Sequence, residues 1–223
     1  MGNDIAVYTA IAGGRDTLKT DQCWEGADFF AFVDFEGPDD LPTDSGWRFE
    51  PVCKLFSDPR RNAKIHKILS HLYLPEYRYT IWMDGSVSLR VPAVELVRDF
   101  LAGADVAMFR HRWQRCAYDV AANCARLHLD YERLIAAQVT QLDVRGWPRD
   151  AGQHECAVIL RRHMMPAVEW FNALWWADVC RFSRRDQISV EWAAAAAGVH
   201  IADIPGDVQH NDFFTRQTHA RKM

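Results

Sequence analysis

Long apolar runs are missing from this chain: none reaches the about 18 residues that a membrane-spanning helix requires. Met1-Gly2-Asn3-Asp4 leads straight into a strand-like segment, without the basic n-region and apolar h-region of an export signal. A soluble, cytoplasmic protein is therefore the expectation. The six cysteines (Cys23, Cys53, Cys116, Cys124, Cys156 and Cys180) include no Cys-x-x-Cys pair, which argues against a zinc knuckle. Without an export signal they are expected to be reduced and mostly buried. Positive charge is not in excess either. With 26 Lys and Arg against 30 Asp and Glu, the formal net charge of −4 argues against a nucleic-acid binder that neutralises many phosphates. Neither an internal repeat nor a Gly/Ser- or Pro-rich linker divides the chain.

What is present is core-forming material. Hydrophobic residues make up 49% of the 223 and aromatics 12%, enough for one sizeable core and too apolar for disorder. Ile5–Ile11 is a β-branched, apolar run stopped by Gly13-Gly14, and 28–34 is a second such run, followed by a loop at 37–42. From 60 to 74 the period changes. Ile65, Ile68, Leu69 and Leu72 predict one helical face, Arg60, Lys64, Lys67 and His71 another, and Pro75 the stop. A strand at 77–83 precedes a helix from Val91-Pro92 to Gly103, with Val94, Val97 and Leu101 inward, and then a strand at 105–109. A helix at 117–129, a loop at 144–153 and a strand at 156–160 follow. Pro166 opens a helix that buries Phe171, Leu174, Trp175 and Val179, before a helix at 186–197 and a strand at 199–204. From Pro205 onward the chain reads as a polar tail. This alternation predicts one α/β domain on a mixed, mostly parallel sheet that binds at its strand C-termini.

The segment 60–88 carries the densest chemistry. A basic helix face precedes a buried strand that ends in Asp84-Gly85-Ser86. An acid at a strand exit, beside a Gly that lets the backbone turn, presents its carboxylate to a hard cation such as Mg²⁺ or Mn²⁺, which shares oxygen ligands with phosphate. Lys64 or Arg61 would neutralise the same diphosphate. An Asp-Gly turn beside a solvated basic face gives the same pattern with no function. Asp34, at the second strand exit, suits a ribose hydroxyl or a loop cap. Asp186 suits a substrate contact or simply the positive end of a helix. Gln153-His154-Glu155 precedes the late strand and suits a pocket wall; Trp176 is the more available of two adjacent Trp for stacking on a ligand. The clusters Arg110-His111-Arg112 and Arg161-Arg162-His163 suit an anion or a solvated face equally.

Four stretches together resemble a known family: Tyr8-Thr9-Ala10-Ile11-Ala12-Gly13-Gly14-Arg15-Asp16, Ala63-Lys64-Ile65-His66-Lys67, Leu74-Pro75-Glu76-Tyr77-Arg78-Tyr79-Thr80-Ile81-Trp82-Met83-Asp84-Gly85-Ser86, and Arg185-Asp186-Gln187-Ile188-Ser189. They are similar to the glycosyltransferase-like domain of plant mucilage- and pectin-related proteins and of bacterial polysaccharide loci. Through it the chain resembles glycogenin- and galactosyltransferase-like enzymes. That resemblance implies the GT-A (nucleotide-diphospho-sugar transferase) fold as a single domain over 1–223. Residues 1–110 would be the nucleotide-sugar-binding half, 111–204 the acceptor half and 205–223 a tail.

It also implies a glycosyltransferase of the hexosyltransferase kind. Such an enzyme moves a sugar from a UDP- or GDP-sugar to a glycan or lipid-linked acceptor, assisted by Mn²⁺ or Mg²⁺. Thr9, Ala10 and Ile11 would meet base and ribose, Lys64 the diphosphate, and His154, Glu155 and Trp176 the sugar acceptor. Asp84 matches the first carboxylate of the group's Asp-x-Asp metal motif. Ser86 stands where the second would be, and a hydroxyl is a poorer cation ligand. Asp186-Gln187 matches an Asp-Gln pair near which donor sugar and acceptor meet, where Asp186 would hold sugar hydroxyls, stabilise an oxocarbenium-like centre or act as base. A C-terminal His often completes the metal set, and His219 is preferred to His210, which directly follows a turn. Two other readings stay open. The lone acid at 84–86 suits a non-catalytic nucleotide-sugar or glycan-binding module. A sugar nucleotidyltransferase ranks last, because Gly13-Gly14-Arg15 only faintly echoes that class's phosphate loop.

Overall fold

The computed structural model describes residues 3–14, 16–34 and 45–217. Nine strands and six α-helices follow the chain as β1 (Ile5–Ile11), β2 (Asp28–Val33), β3 (Trp47–Pro51), α1 (Pro59–Ile68), β4 (Tyr79–Met83), β5 (Val87–Leu89), α2 (Ala93–Phe100), β6 (Val106–Arg110), α3 (Ala117–Arg126), α4 (Glu132–Val144), β7 (His154–Arg162), α5 (Pro166–Arg181), α6 (Val190–Ala197), β8 (Ile201–Ile204) and β9 (Phe214–Arg216) among the described residues. The main sheet has the order β3-β2-β1-β4-β7-β6-β8, so one sheet spans both halves of the chain. Every neighbouring pair is parallel except those made by β7, which runs against the other six strands. The expected mixed, mostly parallel α/β architecture is what the chain adopts.

Strand period two sorts the core into two faces. Val7, Phe29, Ala31, Ile81 and Met83 point to the side covered by α2 and the β5–β9 ribbon. Tyr8, Phe30, Phe32 and Trp82 point to the side covered by α1, α5 and α6, where Phe171, Trp175 and Val190 are fully buried. A third cluster joins α3 and α4 around Ile135, Leu142 and Ile188, outside the sheet layers. Beyond Met108 the β6–β7 register jumps from Ile159 to Glu155, leaving Cys156, Ala157 and Val158 without a β6 partner near the edge where the clefts open.

Several expectations need correction. The helix from 60 ends at Ile68, and after Leu69 the chain makes a single 3-10 turn, Ser70–Leu72. That turn breaks the 3.6-residue phase, so Leu72 faces solvent at 62% exposure and Pro75 is not the stop. In α2, Ala93 and Leu96 are buried and Val94 is exposed, whereas Val97 packs against the core and Leu101 is buried, as expected. The stretch from 205 is no polar tail, because Val208 and Phe214 are buried and β9 pairs with β5. Strand β3 and helix α4 were not expected at all. All six cysteines are free thiols; Cys116, Cys124 and Cys156 are buried and Cys180 is exposed. Among the described residues no helix is long and apolar enough to cross a membrane.

Helix α1 is placed by its ends and by one histidine. Asp58 caps it, accepting from Arg60 N at 3.0 Å, and Pro59 occupies the first turn, where no backbone donor is needed. Gly13 takes φ +68°, and a Cβ there would stand 2.8 Å from Pro59, so the β1 exit can touch α1 only as glycine. His66 is buried, stacks on Phe32 at 4.1 Å and accepts from Cys53 N through Nε2 at 2.8 Å. That acceptor role requires the neutral ring with its proton on Nδ1. Burial holds the His66 pKa down at about 4.

A base whose pKa is depressed on folding destabilises the fold on acidification between its unfolded value, near 6.5, and about 4. Over that window His66 should contribute a loss of about 1.4 kcal/mol per pH unit. His66→Gln keeps an acceptor for Cys53 but cannot titrate. Urea denaturation at pH 6.5 and 5 should show a stability slope smaller by about that amount in the variant; equal slopes would contradict this account of His66.

Candidate active site

Two clefts open side by side at the C-terminal edge of the parallel strands. The first, of about 240 Å³, lies over the β1 exit between Ala10, Ile11 and Ala12 and the α1 residues Arg60, Ala63 and Lys64. The second, of about 280 Å³, lies between the start of β7, at Glu155 to Ala157, and α3 with its approach, which supply Gln114, Val120 and Asn123. Lys64, Lys67, Asp84 and Arg185 line both.

Those shared walls are a buried ion cluster. Lys64 and Lys67 stand three residues apart on α1, hence on one face. Lys64 donates to Asp186 Oδ1 at 2.8 Å, and Lys67 lies 2.8 Å from Asp186 Oδ2. Lys67 also donates to Asp84 Oδ1 at 3.2 Å, which accepts a second bond from Trp82 Nε1 at 2.9 Å. Burial alone would raise the Asp186 pKa, but the two ammoniums outweigh it and hold the carboxyl far below the usual range. Lys67, pulled down by burial, is raised above the ordinary lysine value by Asp186 and Asp84. Lys64 is lowered by burial, with Lys67 and Arg185 adding repulsion. A carboxylate committed at both oxygens to ammoniums does not take a proton near neutral pH, which removes the base role from Asp186.

The turn carrying Asp186 is a 3-10 element, Asp186–Ile188, rather than the first turn of a long helix. Trp175 Nε1 donates to Asp186 O at 2.8 Å, and Gln153 Nε2 to Gln187 O at 3.0 Å. Arg184 pairs with Asp58 at 3.2 Å and Asp130 at 3.0 Å, tying this turn to the α1 cap and to the α3–α4 connection. Gly85 adjoins the carboxylate of Asp16, which a Cβ would meet at 2.9 Å, so any larger residue at that step of the β4 exit would have to displace the Asp16 side chain.

The expected site residues fall into three groups. Ala10, Ile11, Lys64 and Asp84 line the first cleft, and Glu155, Asp186 and Gln187 the second. Burial pushes the Glu155 carboxyl above its ordinary value. Others are occupied elsewhere. Thr9 is buried in the sheet, and Asp34 Oδ2 accepts from Gly13 N at 2.6 Å, capping the β1 exit. Arg61 donates to Phe182 O at 2.9 Å, away from both clefts, and Arg60 lines the first instead. His154 is buried between Glu191 at 2.7 Å and Asp203 at 2.9 Å; burial alone would lower its pKa, but the two carboxylates raise it. Trp176 packs edge-on against Phe56 outside both clefts. Arg161 is fully buried on Tyr8 and the Lys67 carbonyl, not a surface cation. His219 lies outside the described residues. Lys67 and Arg185, both inside quoted motifs, and Arg216 on β9 complete the walls.

The residues described here do not suit a divalent cation. Ser86 is buried, with its hydroxyl hydrogen-bonded to nothing among the described residues. Asp84 Oδ1 is already taken by an ammonium and an indole N–H. No group of three or more His, Cys, Asp or Glu side chains among the described residues converges as metal ligands do.

The model of the TOD1/MUCI70 glycosyltransferase-like domain matches residues 45–214. A protein of Arabidopsis thaliana named probable hexosyltransferase MUCI70 is 33% identical over 211 residues, covering 83% of this chain and 36% of its own length. The alkaline ceramidase TOD1 of the same plant is 24% identical over 217 residues, covering 83% of this chain and 47% of its own. The chain thus spans less than half of either relative. Similar solved structures include the apo bifunctional glycosyltransferase WbbM, with TM-score 0.48 at 9% identity over 92% of this chain and 39% of that one. The galactosyltransferase LgtC with donor and acceptor sugar analogs gives TM-score 0.47 at 10% identity, over 89% and 72%.

Breaking a buried ion pair from one side leaves an uncompensated charge. Asp186→Asn should therefore lower stability by about 3 kcal/mol in urea denaturation, and adding Lys64→Met should recover part of that loss. Additive losses in the double variant would mean that the two residues are not coupled.

Proposed function

The chain belongs to the TOD1/MUCI70 glycosyltransferase-like domain family, and from that premise we propose that it transfers a hexosyl unit from a nucleotide-diphosphate sugar to a hydroxyl of a glycan or lipid-linked acceptor. The observation that carries this reading is the pair of adjoining clefts with Lys64, Lys67, Asp84 and Arg185 as common wall. Transfer needs two substrates to meet at one carbon, with cations where the leaving group gains charge. A base and ribose would lie in the first cleft along Ala10 and Ile11. The diphosphate would lie at the junction, facing Lys64 and Arg185, and the acceptor in the second cleft.

In the reaction, the acceptor oxygen bonds to the anomeric carbon as the bond from that carbon to the diphosphate oxygen breaks. Negative charge passes to the nucleoside diphosphate, where preorganised cations in a partly buried site stabilise it. Glu155, with its raised pKa, is the group for the acceptor proton. Asp186 holds the two lysines in place, and Gln187 faces the acceptor. This reading follows the GT-A arrangement that the sequence resembles. The expected Mn²⁺ or Mg²⁺ enters no step, because the described residues do not suit it. Six free thiols agree with a reducing compartment such as the cytoplasm.

The relative named a ceramidase points to an amide-cleaving alternative. Charged and amide side chains dominate the second cleft (Glu155, Arg185, Asp186, Gln187, Arg216), and these suit a polyhydroxyl acceptor better than paired acyl chains. The buried Ser86, standing where the Asp-x-Asp motif has its second acid, keeps a non-catalytic nucleotide-sugar or glycan-binding module as the other reading.

Nucleotide sugars screened by thermal denaturation should include one that stabilises the protein, by about 2.7 kcal/mol at ~100 times its dissociation constant. With that donor, Glu155→Gln should slow transfer by about 100-fold or more while leaving donor affinity nearly intact. Binding without turnover across a glycan acceptor panel would support the binding module instead. Stabilisation by no nucleotide sugar would defeat the proposal.

A further inference from the structure

Asp84 is the acid that a metal-dependent site would use, yet a cation already sits on it. Lys67 is 3% exposed, and its ammonium lies 3.2 Å from Asp84 Oδ1 and 2.8 Å from Asp186 Oδ2. The Trp82 ring centroid is 5.4 Å away, and the indole N–H holds the same Asp84 oxygen at 2.9 Å. Asp84 and Asp186 thus face three cations of the chain itself, Lys64, Lys67 and Arg185, at the junction of the clefts. A divalent ion on Asp84 would be left with Oδ2 alone, since Lys67 and Trp82 both hold Oδ1, and it would stand beside a buried ammonium that repels it.

We infer that Lys67 is the resident cation of this site: it bridges Asp84 and Asp186 in place of a divalent metal, so that a nucleoside diphosphate is held through Lys64 and Arg185 without one. This rests on the reading of the clefts as a donor site. The bridge is specific to an ammonium on the inner face of α1. Lys64, one turn back, reaches only Asp186 Oδ1 and keeps part of its surface in the first cleft, where a phosphate oxygen can replace water. Asp16, whose carboxylate adjoins Gly85, is the nearby acid with which a metal would have to be shared, and the test must include it.

Calorimetry with UDP and with GDP, in EDTA and in millimolar Mn²⁺, decides the question on the wild-type protein. The expected dissociation constants differ by less than about threefold between the two conditions. Lys67→Met takes the bridging ammonium from Asp84 Oδ1 and Asp186 Oδ2, leaving Trp82 and Lys64 as their partners, and it should bind the diphosphate about tenfold more weakly in EDTA and recover on adding Mn²⁺. Terbium, an oxygen-seeking probe that Trp82 can sensitise, should give emission in Lys67→Met that is lost when Asp84→Asn is added. Wild-type emission should not change on Asp84→Asn or Asp16→Asn. Tightening by more than about tenfold with Mn²⁺ in the wild type, or wild-type terbium emission removed by either Asn variant, overturns the inference and leaves the donor reading standing. If neither diphosphate binds in either condition, the donor reading fails, and the terbium measurement still decides whether Lys67 occupies the cation position. Should Lys67→Met not fold, the wild-type measurements stand alone.

Discussion

Asp186 is a carboxylate that this fold cannot leave alone. Its side chain is 6% exposed, too dry to be charged without partners, and two lysines of one helix supply them. The pair with Lys64 spans 122 residues of sequence, so the cluster closes only after α1 and α5 have packed on the same face of the sheet. Buried ion pairs contribute little net stability compared with apolar replacements. Their effect here is geometric: three donors and two carboxylates admit few arrangements, and the one adopted puts Lys64, Arg185 and Asp84 at a common edge.

Much of the sheet was legible because its strands are buried on both faces. Continuous apolar runs at Ile5–Ile11 and 77–83, ending in Gly or Asp, leave no other low-energy choice. The elements that went unread fail that description in different ways. Strand β3 is an edge strand, Trp-Arg-Phe-Glu-Pro, whose alternation is short and whose outer side is polar. The β5–β9 ribbon pairs two three-residue segments more than a hundred residues apart, and nothing local encodes such a pairing. Helix α4 did carry a signal, since Ile135, Val139 and Leu142 follow helical spacing, but it packs on α3 rather than the sheet and presents a thin stripe.

The site was legible by residue type and less so by partner. Motifs pointed to Asp84, Lys64 and Asp186, and the structure gathers all three. What the one-dimensional pattern hides is who pairs with whom. A basic helix face with Lys64 and Lys67 at consecutive inward turns reads as a solvated surface, because burial of lysine is rare without a carboxylate in reach. The carboxylate was present, but 119 residues beyond Lys67. The same blindness explains His154, whose position before a strand suggests a pocket while its ring is clamped between Glu191 and Asp203. It also explains Arg161, which reads as surface charge and lies fully buried under Tyr8.

The two clefts also differ in how they are built. The first is cut into the sheet edge and α1, which belong to the main core. The outer wall of the second is the α3–α4 hairpin, whose apolar side chains form their own cluster. That cluster also takes in Ile188, from the turn that carries Asp186, and Trp192 of α6, and cationic contacts add to these apolar ties. Arg145 forks onto Asp178 at 2.6 and 2.9 Å while lying 3.4 Å over the Trp192 ring, and Arg184 holds Asp130. A bidentate guanidinium fixes orientation as well as distance. Because Ile188 is fully buried in the hairpin's apolar cluster and lies two residues after Asp186, the wall along α3 and the carboxylate that holds Lys64 and Lys67 are joined through one turn. On the proposed reading, the acceptor wall and the donor-side cations are therefore set together, and a change along α3 is felt at Asp186.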